Sequence, residues 1–246
     1  MKIAVFADVH ANLEALQAFV EKSSSQGVDS YVFLGDCVGY GPNPNECAES
    51  IRQLPGIKMV LGNHDSTAIL KTSPYAMNTY AREAMFWTME RLKPETAASL
   101  FSLKLLHVEG DICYAHSSPE SPEAWSYLNS TAEAFRAFSA TRHHISFVGH
   151  THWPRIFSRH KQGRIVPEKI RPGRNYVMGE ETRYIVNCGS IGQPRDGNVA
   201  GCYCLFDDAA MTLVFHRFEY DVERTIAKIR EAKLPEFLAV RLRKGR

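Results

Sequence analysis

Histidine and aspartate residues gather at a few points in this chain, and at each of them an apolar run has just ended. Asp8-Val9-His10 follows KIAVFA, Gly35-Asp36 follows YVFL, and Gly62-Asn63-His64-Asp65 follows KMVL. His116 ends ICYAH, Gly149-His150-Thr151-His152 completes ISFVGHTH, and Asn187-Cys188-Gly189-Ser190 ends a sixth run. Imidazole nitrogens and carboxylate oxygens at this density are donors for transition-metal ions or the acid–base groups of a hydrolytic site. Each cluster alone has an ordinary reading. DxH is a helix cap with a surface histidine, GD a turn, GNHD a hairpin loop, and a lone His116 a satisfied core histidine. In this order, and always at a strand end, they point to one shared site.

The elements that must position them follow from local pattern. KIAVFA (2–7) reads as a buried strand, and Asn12 caps a helix carrying Leu13, Leu16, Phe19 and Val20. YVFL (31–34) and KMVL (58–61) are further short strands, with a helix around Glu46–Leu54 between them. This β-α-β-α-β order predicts parallel strands with right-handed crossovers. In open α/β sheets ligands bind outside the carboxyl ends of strands, where these clusters lie. Over 66–106, Met77, Tyr80, Ala84 and Trp87 recur at helical spacing and Pro94 starts another helix, which predicts a helical cover. Ser130 and Glu133 form a capping-box pattern. Residues 155–183 are polar and basic, with turn marks at Gly163, Pro167, Pro172 and Gly173, and read as an exposed hairpin insertion. Three strands and an amphipathic helix from Asp221 follow, and no linker divides 1–246 into separate domains.

Composition limits the classes of partner. With 246 residues, 44% hydrophobic, and 29 Lys+Arg against 27 Asp+Glu, the net charge of +2 makes no whole-molecule case for nucleic acid or membrane binding. No run reaches the ~18 apolar residues of a membrane span, and the apolar stretch of MKIAVFADVH is too short for a signal peptide. Cys37, Cys47, Cys113, Cys188, Cys202 and Cys204 lack CxxC spacing and sit mostly in apolar runs. Reduced, buried thiols in a cytoplasmic protein are the expectation.

In order and residue type, D-x-H (8–10), G-D (35–36), G-N-H-D (62–65), His116 and G-H-T-H (149–152) resemble the calcineurin-like metallophosphoesterases. The resemblance spans roughly residues 1–206, and no ligand position is missing. ANLEAL after His10, GYGPNP after Asp36 and GSIGQPR at 189–195 are similar to the small bacterial phosphodiesterase branch, part of which hydrolyses diadenosine tetraphosphate. The resemblance implies an α/β fold in which two mixed β-sheets form a sandwich flanked by helices (α/β/β/α). It implies one metal held by Asp8, His10, Asp36 and His152, and a second held by Asp36, Asn63, His116 and His150, with Asp36 bridging.

Such nitrogen-and-oxygen sets suit two divalent transition-metal ions: Mn, Fe, Zn, Co or Ni, with Mn favoured, over Mg²⁺ or Ca²⁺. Two divalent ions less two aspartates leave about +2, a charge that attracts a phosphate anion. Ions ~3.5–4 Å apart would lower the pKa of a bridging water and stabilise an in-line attack on phosphorus. His64 is the expected non-ligand catalytic residue, a cation or general acid toward the leaving oxygen. Asp65 either orients His64 or caps the following helix. Arg195 is a candidate phosphate clamp or a surface ion pair, and Asn187, Ser190 and Gln193 are placed on the same substrate rim. His107, His143, His144, His160 and His216 are assigned structural or solvent-facing positions. Tyr40, Tyr80 and Trp87 fit a core better than a nucleoside stack, and the basic run between Arg155 and Arg174 fits a solvated hairpin face.

The expected function is therefore hydrolysis of phosphodiester or phosphoanhydride bonds in a small phosphate ester or nucleotide, dinucleoside polyphosphates among them. Phosphomonoester cleavage, as by a phosphomonoesterase or protein phosphatase, is the alternative within that chemistry, and a catalytically inactive binding scaffold is the alternative outside it. An inactive scaffold of the same fold would have shed ligands or the GNHD histidine, and this chain keeps both. A zinc hydrolase of the β-lactamase type requires HxHxDH, whereas Trp153-Pro154-Arg155 follows His152. Exposed strands late in the chain leave homo-oligomer pairing open.

Overall fold

In the computed structural model, which describes residues 1–246, side chains alternate along the first strand between two different cores. Ile3 and Val5 face one apolar cluster, Ala4 and Phe6 another, as the period of two in a strand requires when both faces are covered. The chain begins β1 (Lys2–Phe6), α1 (Leu13–Ser24), β2 (Ser30–Phe33), α2 (Pro44–Arg52) and β3 (Lys58–Met59). It continues with α3 (Asn63–Ala68), α4 (Thr79–Arg91), α5 (Pro94–Phe101), β4 (Leu106–Glu109) and β5 (Ile112–Ala115). After α6 (Thr131–Ala140) come β6 (Ile145–Val148), β7 (Arg155–His160), β8 (Ile165–Lys169), β9 (Asn175–Val177) and β10 (Thr182–Asn187). β11 (Gly201–Asp207), β12 (Thr212–Phe218), α7 (Val222–Glu231) and α8 (Glu236–Leu242) complete it.

Two mixed six-stranded sheets result, ordered β3-β2-β1-β11-β12-β9 and β4-β5-β6-β10-β7-β8. Their facing sides form one core in which Val5, Cys204, Phe206 and Phe215 meet Tyr114, Phe147, Ile156 and Val186. On the outer face of the first sheet, Phe6, Phe33 and Tyr203 pack on Leu16 and Phe19 of α1 and Ile51 of α2. On the outer face of the second, Val148, Phe157 and Ile185 pack on Ala134, Ala137 and Phe138 of α6. The architecture is thus the α/β/β/α sandwich. Each fully buried phenylalanine contributes about 1.5–3 kcal/mol.

β1, β2 and β3 run parallel in one sheet, and β5, β6 and β10 run parallel in the other. Their carboxyl ends come together where the sheets meet. The caps expected at Asn12 and Ser130 are present, and Asp221 caps the last-but-one helix: each side chain accepts a backbone N–H three residues on, and Glu133 closes the capping box. All six cysteines are buried and free. No helix is long and apolar enough to cross a membrane.

The segment 155–183 differs from its expectation. β7 is an interior strand, paired with β10 on one side and β8 on the other, and buries Ile156 and Phe157. β9 crosses to the first sheet and pairs with β12. The basic residues mask β7, whose adjacent Ile156 and Phe157 are core, and the partly buried β8 beside it. Within 66–106 the chain forms α4 and α5, and Ala81 and Ala84 of α4 pack against Ile226, Leu234 and Leu238 near the end of the chain.

Candidate metal centre

The strand-end clusters converge. Asp8 N–H donates to Gly35 O, and His10 N–H to Asp36 O, which stitches the loop after β1 to the loop after β2. Gly149 N–H donates to His116 O, and Ile191 and Gly192 donate to Ala7 and Asp8, drawing the second sheet's loops onto the first. Within this knot, Asp8, His10 and His152 bring ligand atoms within 4.8 Å of one another, and so do Asp36, His116 and His150. Asn63 Oδ1 lies 3.1 Å from His116 Nε2. Asp36 stands between the groups: its Oδ2 is 3.6 Å from His10 Nε2 and 3.3 Å from His116 Nε2. All seven residues expected as ligands are thereby neighbours.

The histidines are oriented by backbone carbonyls. His10 Nδ1 lies 3.2 Å from Val38 O, His116 Nδ1 2.8 Å from Leu34 O, and His152 Nδ1 2.6 Å from Gln193 O. His150 is turned the other way, with Nε2 2.9 Å from Trp125 O. A carbonyl oxygen only accepts, so each of these nitrogens carries the proton, which assigns the tautomer. The other nitrogens point inward. His10 Nε2 and His152 Nε2 are 3.1 Å apart, and His116 Nε2 and His150 Nδ1 are 3.2 Å apart. Asp8 Oδ1 is buried among them without a hydrogen-bond donor. Facing lone pairs beside an unpartnered carboxylate oxygen suit bound cations, and the mixed nitrogen–oxygen donors fit transition-metal ions.

The electrostatics agree. Burial pushes the His10 and His152 imidazoles well below their ordinary range, and burial together with His116 takes His150 down to about 3. Burial disfavours charge on His116 too, but Asp36 and Asp8 prevail and raise it to about 9. Burial likewise works against Asp36, yet His116, His64 and His10 hold it well below the usual carboxylate range. A pocket that draws a proton onto a buried imidazole is one that favours positive charge.

The loops holding these ligands are strained. Five of the seven, Asp8, His10, Asp36, His150 and His152, have φ between 49° and 65°. That region is sparse for residues with a Cβ and is kept only where surroundings over-determine it. Gly149 is not the residue that turns; His150 is, with φ 65°. Gly149 is required for close approach, because a Cβ there would meet Ala7 Cβ at 2.6 Å and Asp8 Oδ2 at 2.9 Å.

Among the expected site residues, Asp65 takes the capping one of its two sequence readings, while Asn187 and Ser190 serve differently from theirs. Asp65 makes no bond to His64. Its Oδ2 accepts from Asp36 N–H at 2.8 Å, and its Oδ1 from Cys37 and Val38 N–H at 2.8 and 3.1 Å. It also accepts from Gly62, so it caps α3 and anchors the Asp36 loop. Asn187 donates to Gly149 O and Thr151 Oγ1 and accepts from Gly189 N–H, which commits its amide to bracing the His150–His152 loop. Ser190 donates to Asp8 O and accepts from Gln193 N–H. Their polar atoms are occupied, so neither is placed on a substrate rim.

His64 is buried beside the ligands, its ring 4.8 Å from that of His10, and its Nδ1 has no partner. Its backbone N–H donates to Asp36 Oδ1 at 2.8 Å. Burial lowers its pKa to about 4, so it is neutral rather than cationic here. Arg195 is half-buried over the Tyr40 ring, and Tyr40 in turn packs against His10 and His64. Tyr127, stacked on His150 at 4.3 Å, and the carbonyl of Trp125 escaped sequence reading because neither lies in a recognisable cluster. A cleft of about 280 Å³ opens from the ligands, lined by Asn63, His64, Thr67, Tyr127 and His150 among others.

This fold, with its carboxylate and imidazole knot at the strand ends, defines a metallophosphoesterase. A model of the calcineurin-like phosphoesterase superfamily domain matches residues 1–210, and the chain belongs to that superfamily. An uncharacterised protein of Methanocaldococcus jannaschii is 38% identical over 99% of this chain and 98% of its own length. A metallophosphoesterase of Sphaerobacter thermophilus is 39% identical, with TM-score 0.88 over 100% of both chains. A hypothetical protein of Pyrococcus horikoshii shares the fold at TM-score 0.79 and 22% identity, covering 100% of this chain and 98% of its own.

Proposed function

We propose that Asp8, His10, Asp36 and His152 hold one divalent transition-metal ion and that Asp36, Asn63, His116 and His150 hold a second. We propose further that the chain hydrolyses phosphodiester or phosphoanhydride bonds. The observation that carries this reading is the convergence of four carbonyl-oriented imidazoles on two buried carboxylates. Two bound cations would polarise a phosphoryl group and bring a water's pKa toward neutrality.

The chain's own residues supply the rest. Asp36 shares its Oδ2 between both ligand groups, while Asp65 and the His64 N–H hold its carboxylate and loop in place. Asp8 is steadied through Oδ2, which accepts from His150 N–H at 3.0 Å and leaves Oδ1 facing inward. His64 is kept neutral by burial, and a phosphate anion entering the cleft raises its proton affinity. It then holds a proton beside the leaving oxygen and serves as general acid. Arg195 offers its guanidinium to phosphate oxygens.

The test is a hydrolysis screen after metal reconstitution, comparing bis(p-nitrophenyl) phosphate, p-nitrophenyl phosphate, cyclic nucleotides and dinucleoside polyphosphates. The expected result is turnover of diesters or anhydrides dependent on Mn²⁺ or a similar ion, with two metals per chain by elemental analysis. Undiminished turnover by demonstrably metal-free protein would overturn the reading.

A further inference from the structure

Beside the ligand cluster, sharing Tyr40, Asn78 and Tyr127 with the cleft at Asn63, a second cavity of about 410 Å³ is lined by two guanidinium groups. Arg195 Cζ lies 5.9 Å and Arg241 Cζ 5.8 Å from the centroid of the same Tyr40 ring. That ring is 4.7 Å from His10 and 4.5 Å from His64, so both cations are one side chain removed from the ligands. Neither pairs with an Asp or Glu side chain. The adjacent Asp196 is taken by Arg217, and Arg195 donates only to the neutral Gln193 Oε1 while its Nε is buried without a partner. Arg241 uses its Nε on the main-chain oxygen of Arg246. Burial and the charge of Arg195 depress the Arg241 guanidinium to about 10, which registers the cost of holding the two together. Two partly desolvated guanidinium groups that line one cavity without a carboxylate side chain offer planar donor forks suited to a phosphate anion.

The outer wall of the cavity is aromatic. Tyr80 and Phe237 stack at 4.6 Å with an interplanar angle of 16°, and both are about half exposed. Arg241 Cζ lies 5.5 Å from the Phe237 ring. The cavity is within the ordinary size range for small-molecule sites, ~300–1,000 Å³. Arg241 and Phe237 come from α8, beyond the residues 1–210 matched to the superfamily.

We infer that Arg241, together with Arg195, forms a subsite for a second phosphate group, so that the ligand is a nucleotide carrying at least two phosphates joined by an anhydride. One phosphate lies at the ligand cluster, the next between the two guanidinium groups, and the nucleoside against the Tyr80–Phe237 wall. This assignment rests on the phosphoesterase reading for the position of the first phosphate. Arg241 is a specificity-determining residue on this account, since it meets the phosphate that is not attacked.

Calorimetric titration of the metal-loaded protein with α,β-methylene-ADP and with AMP tests the inference without turnover. The wild-type chain should bind the diphosphate at least about tenfold more tightly than the monophosphate. Arg241→Gln should reduce that preference to within about threefold, and Arg241→Lys, which keeps charge without the planar fork, should restore part of it. Thermal unfolding of each variant checks that α8 still docks, and if Arg241→Gln fails to fold, the lysine variant alone must still show a reduced preference. Equal binding of the two nucleotides by wild type, or an unchanged preference in the Arg241 variants, would sink the subsite. The two readings fail separately. Phosphoester hydrolysis without a diphosphate preference removes the subsite only, and a diphosphate preference without hydrolysis removes the catalytic reading only.

Discussion

His10 Nε2 and His152 Nε2 face each other at 3.1 Å, and the opposite nitrogen of each ring is held by a backbone carbonyl, from Val38 and Gln193 respectively. Both rings are neutral, since burial depresses their pKa, so two lone pairs meet beside Asp8 Oδ1. A cation between them converts a repulsion into coordination. His116 Nε2 and His150 Nδ1 also meet, at 3.2 Å, but there Asp36 and Asp8 keep a proton on His116 whose place a cation would take, and the predictions below follow from this cluster.

Metal binding should stabilise the fold measurably. A ligand bound only to the native state, at a hundred times its dissociation constant, contributes about 2.7 kcal/mol. Chelator treatment should therefore lower the unfolding temperature, and Mn²⁺ or Zn²⁺ should restore it. Identical melting curves with and without chelator, on protein shown to have held metal beforehand, would contradict the centre.

His64→Ala should retain both metals, because its side chain is not among the proposed ligands, yet lose about 10²–10⁴ in kcat, the usual contribution of a general acid. Elemental analysis and steady-state kinetics on one preparation check this. Loss of metal in parallel with activity would make His64 a ligand or a structural support.

Asp65→Asn should destabilise the protein by about 1–3 kcal/mol, the cost of leaving a buried donor unpaired. An amide in place of the carboxylate presents an NH₂ to backbone donors that need an acceptor. Because the Asp36 loop loosens, metal affinity should fall as well. Denaturant unfolding and metal titration read the two effects, and an unchanged metal affinity would separate Asp65 from the site.

Gly149→Ala should cost about 1–3 kcal/mol by overpacking, and should weaken metal binding because the new methyl reaches toward Asp8 Oδ2. Unfolding curves and metal stoichiometry of the variant check both parts. A variant with wild-type stability and full metal content would show that the loop shifts freely.

Much of the candidate site is legible because each proposed ligand stands at a strand end. Strand, tight loop and ligand are consecutive residues, so Asp8, His10, Asp36, Asn63, His116, His150 and His152 can be chosen without knowing their partners. Asp65, Asn187 and Ser190 carry the same residue types in the same places, but their bonds run to loops distant in sequence. Residue type shows that an Asn or Ser can bond; only the fold shows that it already has. The strand β7 is obscured in another way, since its surface positions are basic and its core positions, Ile156 and Phe157, are adjacent rather than spaced.

The sequence by itself determined the inventory of donors, the strand ends that present them and the family that uses them. All are written in short runs of consecutive residues. Only the tertiary structure decided which nitrogen of each histidine faces inward, that His150 rather than Gly149 makes the turn, and that Arg241 joins Arg195 over Tyr40. The reason is physical. A lone pair's direction is set by whichever carbonyl meets the other side of the ring, and the proximity of two charges by how distant elements pack.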